Sequence, residues 1–182
     1  MRMFLPFLLV SVLGLLQAMG SAEVKSSAAD HFSVSIETEA KAAPDVVWHH
    51  LLRIGTWWSS SHTWSGDATN LMLNATPEGG FDETLPGKGG FVRHMKVIYA
   101  APEKMLRMTG TLGPLQEEAL NGTMTIRLTK REGVTAISIT YKVSGHFEGG
   151  LDKVAPVVDR VLQEQFNRLV TVIEKPATEP NQ

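Results

Sequence analysis

The sequence predicts an α+β fold: a curved antiparallel sheet of about six or seven strands around a long C-terminal helix, with two short helices after the first strand. Three observations carry that expectation. Segments of alternating apolar and polar residues follow one another through the middle of the chain, separated by short turn signals, as an antiparallel meander requires. Residues 151–174 switch to a helical period and keep it for roughly 24 residues, a length near 36 Å. The helix then has one apolar stripe and the sheet one apolar face, and each buries the other.

The elements are justified in order. His31 to Thr38 alternates, with Phe32, Val34 and Ile36 on one face, and reads as a strand. Pro44 opens a short helix over 44–53, with Asp45 in its first turn and Val47, Trp48, Leu51 and Leu52 at helical spacing. Gly55 ends it, and Thr56-Trp57-Trp58 forms a further helical turn before a loop rich in Ser and Gly. Leu71–Ala75, Phe81–Leu85 and Phe91–Tyr99 are strands, the last two joined by Pro86-Gly87-Lys88-Gly89-Gly90, a strong hairpin signal. Lys104–Leu112, Thr123–Lys130 and a last strand carrying Ile137, Ile139, Tyr141 and Val143 complete the meander. The C-terminal helix places Leu151, Val154, Val158, Val161, Leu162, Gln165, Leu169, Val172 and Ile173 on one stripe.

Composition narrows the function. The chain has 182 residues, 43% of them hydrophobic, which excludes a disordered protein and suits one domain. Its 17 Lys and Arg nearly balance 19 Asp and Glu, so no nucleic-acid partner is expected. With no cysteine there is no disulfide framework, thiolate metal site or cysteine nucleophile. Met1-Arg2 is followed by an apolar run over 4–16 and by small residues at Ala18, Gly20, Ser21 and Ala22. That is the layout of a secretory signal peptide, too short to span a bilayer comfortably. The expected organisation is a signal peptide over 1–22, a flexible lead over 23–30, the domain over 31–174 and a disordered tail over 175–182. The expected location is periplasmic or secreted, with no stable membrane span after cleavage and no protein partner that the sequence identifies.

Register singles out the chemistry. Phe81, Glu83 and Leu85 share a face that two apolar residues turn inward, so Glu83 goes with them. Pairing around Lys88 sets Glu83 opposite or next to His94. Arg93 and Lys96 lie on opposite parities, and a bulge near Met95 would let Val92, His94, Val97 and Tyr99 all face inward. A buried carboxylate beside an imidazole can be a structural polar pair, a polar anchor for a ligand, an acid–base dyad, or, with His62, a weak metal candidate. All four tryptophans lie between Trp48 and Trp64. One of Trp57 and Trp58 packs in the core and the other lines a cavity or its lid. Trp64 sits in a Ser/Gly loop, where an aromatic suggests ligand contact. Asp67 or Asn70 could bond a ligand or His62. Gly110–Gln116, with Leu115, reads as a rim, and Met95, Met108 and Met124 suit a loose core or a greasy cavity. The candidate ligand-binding residues are therefore Trp58, His62, Trp64, Phe81, Glu83, His94, Met108 and Leu115. No catalytic residue is assigned beyond Glu83 and His94 as candidates, and no cofactor is expected.

The stretches AAPDVVWHHL, GGFVRHMKVIYAAPEKMLRMTGTLGPLQ, GTMTIRLTKREGVTAISITYKVSG and GGLDKVAPVVDRVLQEQFNRLVTVIE together resemble the SRPBCC superfamily, also called START-like or helix-grip. HTWSGDATNLML and the GPLQ at 113–116 are similar to a polyketide cyclase/dehydrase-like branch of secreted bacterial proteins. The resemblance implies the helix-grip fold and a cavity between the sheet and the long helix. Function is not implied so directly, because this fold serves carriers, cyclases, hydrolases and chaperone partners alike. The reading that follows is a secreted protein holding a small hydrophobic or amphipathic ligand. The alternative is a cyclase- or hydratase-type enzyme using Glu83 and His94 as an acid–base pair. An interaction domain of the Hsp90-activator kind is disfavoured, because that partner is cytosolic.

Overall fold

The structure is a computed structural model that describes residues 21–175, Lys88 excepted. Most of the expected signal peptide, and the tail beyond Lys175, lie outside the described residues. Eight strands form one antiparallel sheet: β1 (Ser21–Ala28), β2 (His31–Ala40), β3 (Leu71–Leu73), β4 (Gly80–Leu85), β5 (Gly90–Ala101), β6 (Met105–Thr109), β7 (Leu120–Lys130) and β8 (Thr135–Gly145). Their order across the sheet is β1-β2-β8-β7-β6-β5-β4-β3. Only β2 and β8 break sequence order, which brings the first long strand beside the last. Two helices complete the fold, α1 (Pro44–Leu52) and α2 (Leu151–Glu174). The predicted α+β class and the long terminal helix therefore stand.

The alternation that predicts the strands is what fills the core. Phe32, Val34 and Ile36 of β2 are buried, as are Met124, Ile126 and Leu128 of β7 and Ile137, Ile139, Tyr141 and Val143 of β8. From α2, Leu151, Ala155, Leu162, Phe166 and Leu169 close the core. The helix packs chiefly on β1 and β2, with a further contact to α1. It therefore covers one side of the sheet's inner face and leaves the β4–β6 side to be roofed by the loop after α1.

Four expectations are corrected. The flexible lead over 23–30 is instead occupied by β1 and its turn, paired with β2 from Ser21↔Glu37 to Ala28↔His31. Its sequence SAEVKSSA has no apolar alternation, because backbone pairing and the contact of Val24 with the core hold it in place. Lys25 is an extra residue in this ladder, a bulge between Val24 and Ser26. With β1 added, the sheet has eight strands instead of six or seven. The expected strand over 71–75 also shortens to Leu71–Leu73, and the helical turn expected at 56–58 is a 3₁₀ turn over Ile54–Thr56.

The start of α2 is fixed by backbone. Gly149 and Gly150 take φ values of 87° and 89°, the left-handed region that favours glycine. This turn lets the Leu151 N–H donate to the carbonyl of Ala29 at 2.9 Å, tying the helix to the β1–β2 turn.

Candidate functional site

A bulge in β5 builds the site. Phe81 pairs with Met95 and Asp82 with Arg93, so His94 is the extra residue between them. The bulge lets His94 and Met95 both turn inward although they are adjacent, while Arg93 and Lys96 remain outside. Arg93 there makes a two-pronged bond to Asp82, at 2.7 and 3.0 Å. A second bulge at Ile98 shifts the register again and turns Tyr99 outward, 49% exposed, so Tyr99 is not the inward residue that one bulge alone would make it. Val92 is only half-buried.

Glu83 lies opposite Val92 and two residues from His94 on the same inner face. It is fully buried, and its carboxylate accepts from Nε2 of His94 at 3.0 Å. It also accepts from the backbone N–H of Trp64 at 3.0 Å and from that of Ser65. Glu83 thus pins the loop after α1 to the sheet. The same loop is fastened to α2 from the other side. The N–H of Ser59 donates to Oε1 of the buried Gln165 at 2.7 Å, Arg168 donates to the carbonyl of Trp57 at 2.8 Å, and His62 lies 3.5 Å from Glu164.

Between this loop, α2 and the sheet is a cavity of about 500 Å³. Trp58, Phe81, Leu115, Val158 and Leu162 make its walls apolar, His94 lies on its inner wall, and the half-exposed Trp64 and Val157 stand at its mouth. The ring of Phe81 stacks on that of His94, with centroids 4.5 Å apart and a 34° tilt. The adjacent tryptophans divide their roles. Trp57 is core, packed on Phe166 and donating to the carbonyl of His50, while Trp58 faces the cavity and donates to the carbonyl of His62.

Of the eight predicted ligand-binding residues, Trp58, His62, Trp64, Phe81, His94 and Leu115 line the cavity. Glu83 does not. It sits behind His94, where its oxygens are taken up by the loop. Met108 does not either, because Trp58 and Phe81 form the wall between it and the cavity and leave beside it a void of only about 10 Å³. The three-residue metal candidate is not assembled. His62 is turned to Glu164, and no group of three His, Asp or Glu residues with metal-binding geometry occurs among the described residues. Asp67 and Asn70 stabilise the loop itself, Asp67 accepting from the N–H of Thr69 and Asn70 donating to Ser65. Reasoning from sequence missed the contribution of α2, whose Val154, Val157, Val158 and Val161 reach the cavity. Val154, Val158 and Val161 are visible in the apolar stripe and Val157 lies beside it, but periodicity does not say which part of a stripe meets sheet and which meets space.

The electrostatics follow from the geometry. Burial pushes the Glu83 carboxyl up, but the hydrogen bonds from Trp64, Ser65 and His94 outweigh it and hold the group below the usual carboxylate range. Burial pushes the His94 imidazole below its ordinary value, against the opposing pull of Glu83 and Asp82. At neutral pH the pair is a carboxylate and a neutral imidazole whose Nε2–H donates. Both shifts make the unfolded chain the better proton acceptor as pH falls, so both remove stability in acid. Urea unfolding midpoints should therefore hold steady above about pH 6.5, fall as pH drops below it, and fall again below about 4.3. In His94→Phe the first decline should shrink, leaving the smaller share that the partly buried His50 contributes. A midpoint that rises on acidification through pH 6 would contradict the assignment.

The family model described as polyketide cyclase / dehydrase and lipid transport matches residues 31–174. No curated protein matches the chain. Among solved structures, the chain is similar to a protein from Mesorhizobium loti at 15% identity and a TM-score of 0.58, over 80% of this chain and 99% of that one. It is also similar to a conserved protein of unknown function from Enterococcus faecalis at 16% identity and a TM-score of 0.57, over 88% and 80%. A third similar structure, an uncharacterised protein from Rhizobium leguminosarum, shares 18% identity with a TM-score of 0.56, over 85% and 97%. At these identities the likeness is one of fold.

Proposed function

This chain belongs to the polyketide cyclase / dehydrase and lipid transport family, and on that premise we propose that it holds a small hydrophobic or amphipathic molecule between the sheet and α2. The observation that carries this reading is the cavity of about 500 Å³, with apolar walls and a few polar groups, the His94 imidazole among them. That volume lies within the ordinary range for small-molecule pockets, and the balance of lining is the usual one: apolar surface for affinity, a few polar groups for orientation. Residues 1–22 support export to the periplasm or beyond, where the protein would act as a carrier. Among the described residues no helix is long and apolar enough to cross a membrane.

Native mass spectrometry of protein expressed with its N-terminal segment into a bacterial periplasm tests the reading. The expected result is a chain shortened by about 20–22 residues, carrying a small molecule whose mass is lost on denaturation. A chain that arrives empty, and stays empty after incubation with a lipid extract, would overturn the carrier reading.

A second reading, a cyclase or hydratase, is favoured by one observation. The 3.0 Å Glu83–His94 contact orients an imidazole on the cavity wall, as a general base requires. Turnover of a bound ligand that His94→Gln abolishes while binding persists would select this reading over the carrier.

A further inference from the structure

The polar side of the cavity has a definite sense. Glu83 accepts from Nε2 of His94, so the proton of the neutral ring is on Nε2 and Nδ1 carries the lone pair. Nδ1 has no hydrogen-bond partner among the described residues and is not sealed off by its neighbours, and His94 lines the cavity. The remaining polar groups on the wall are engaged, peripheral or, for Tyr141, fully buried. The hydroxyl of Tyr141 accepts from the N–H of Leu112 at 3.1 Å, and its own O–H has no acceptor among the described residues. Thr63 donates to the carbonyl of Ser60, Ser61 bonds Ser59, and His62 is beside Glu164. No Lys or Arg lines the cavity, and the charge nearest its inner wall is the carboxylate of Glu83.

We propose that the cavity selects an uncharged ligand that donates a hydrogen bond, an alcohol or a phenol, to Nδ1 of His94, and that it rejects carboxylates. This rests on the ligand-binding reading above and gives it a chemical class. A hydroxyl meets the one open acceptor. A carboxylate has no proton to give there, finds no cation to pair with, and comes to rest next to a lone pair with Glu83 behind it, in an apolar site where an unpaired charge is costly.

Three molecules sharing one ring system test the proposal by calorimetry at pH 7.5: 2-naphthol, naphthalene and 2-naphthoate. Affinity for 2-naphthol is expected to exceed that for naphthalene about tenfold, the worth of one well-placed hydrogen bond. Binding of 2-naphthoate should be weaker than that of 2-naphthol by about a hundredfold, since its charge would be buried unpaired. In His94→Phe the advantage of 2-naphthol over naphthalene should vanish. In Glu83→Gln, which keeps an acceptor for Nε2 without the charge, the gap between 2-naphthol and 2-naphthoate should narrow. Equal affinity for all three, or a preference for 2-naphthoate, would overturn the proposal and leave the carrier reading in place. Binding of none of them would count against both. If His94→Phe does not fold, the wild-type ranking and Glu83→Gln still decide.

Discussion

Replacing Glu83 with alanine is expected to lower unfolding free energy by about 3 kcal/mol or more, since a buried partner is removed from three donors at once. The fully buried carboxylate accepts from the Trp64 and Ser65 amides and from His94. Alanine leaves those N–H groups to find water or stay unpaired, and opens a hole beneath the loop. The loss should be local as well as global. Amide exchange at Trp64 and Ser65 should accelerate far more than exchange in β7 or β8, because the loop stays fastened to α2 through Ser59–Gln165 and Trp57–Arg168 but is cut free of the sheet. Glu83→Gln should fall between wild type and alanine. Urea unfolding and hydrogen exchange measure both effects, and a loss under about 1 kcal/mol would mean that the loop is held without this carboxylate.

The largest functional effect is expected from Val158→Trp. Val158 is on the cavity side of α2, half-buried because it faces space and not the sheet. An indole there has room to enter, so the substitution fills the cavity without forcing the core apart, the usual cost of overpacking. Affinity for 2-naphthol should drop about a hundredfold or more, equivalent to about 2.7 kcal/mol, while the unfolding midpoint stays within the range typical of surface changes. Titration calorimetry beside urea unfolding separates the two. Undiminished affinity in a folded Val158→Trp protein would place the binding site elsewhere.

Where the chain alternates strictly, sequence and structure agree closely. The faces of β2, β7 and β8 follow the apolar positions, and α2 runs from Leu151 to Glu174 as its stripe predicts. The proximity of Glu83 and His94 was also legible, because a short hairpin fixes the count of residues to either side of it. The misses have physical causes. β1 is held by its backbone and by its neighbours, which a string of Ser and Ala does not reveal. Tyr99 turns out because β5 has two bulges, and charges at Arg93 and Lys96 argue for only the first. Met108 and Met124 share a period with cavity-facing residues, but the distance to the cavity is set by Trp58 and Phe81, which approach from elsewhere in the chain. The partners of Glu83 in the loop were invisible for a further reason: backbone amides carry no residue type.

The bulge at Lys25 bears on how copies of this protein meet at high concentration. An open sheet has two margins, each a template on which another chain can add a strand. Here one margin is β1, where a bulge breaks the even ladder and places a lysine in the break. The other is β3, only three residues long. Short, interrupted and charged margins are poor templates for edge-to-edge stacking. The greasy interior that suits a ligand is thereby enclosed in a sheet whose borders resist aggregation.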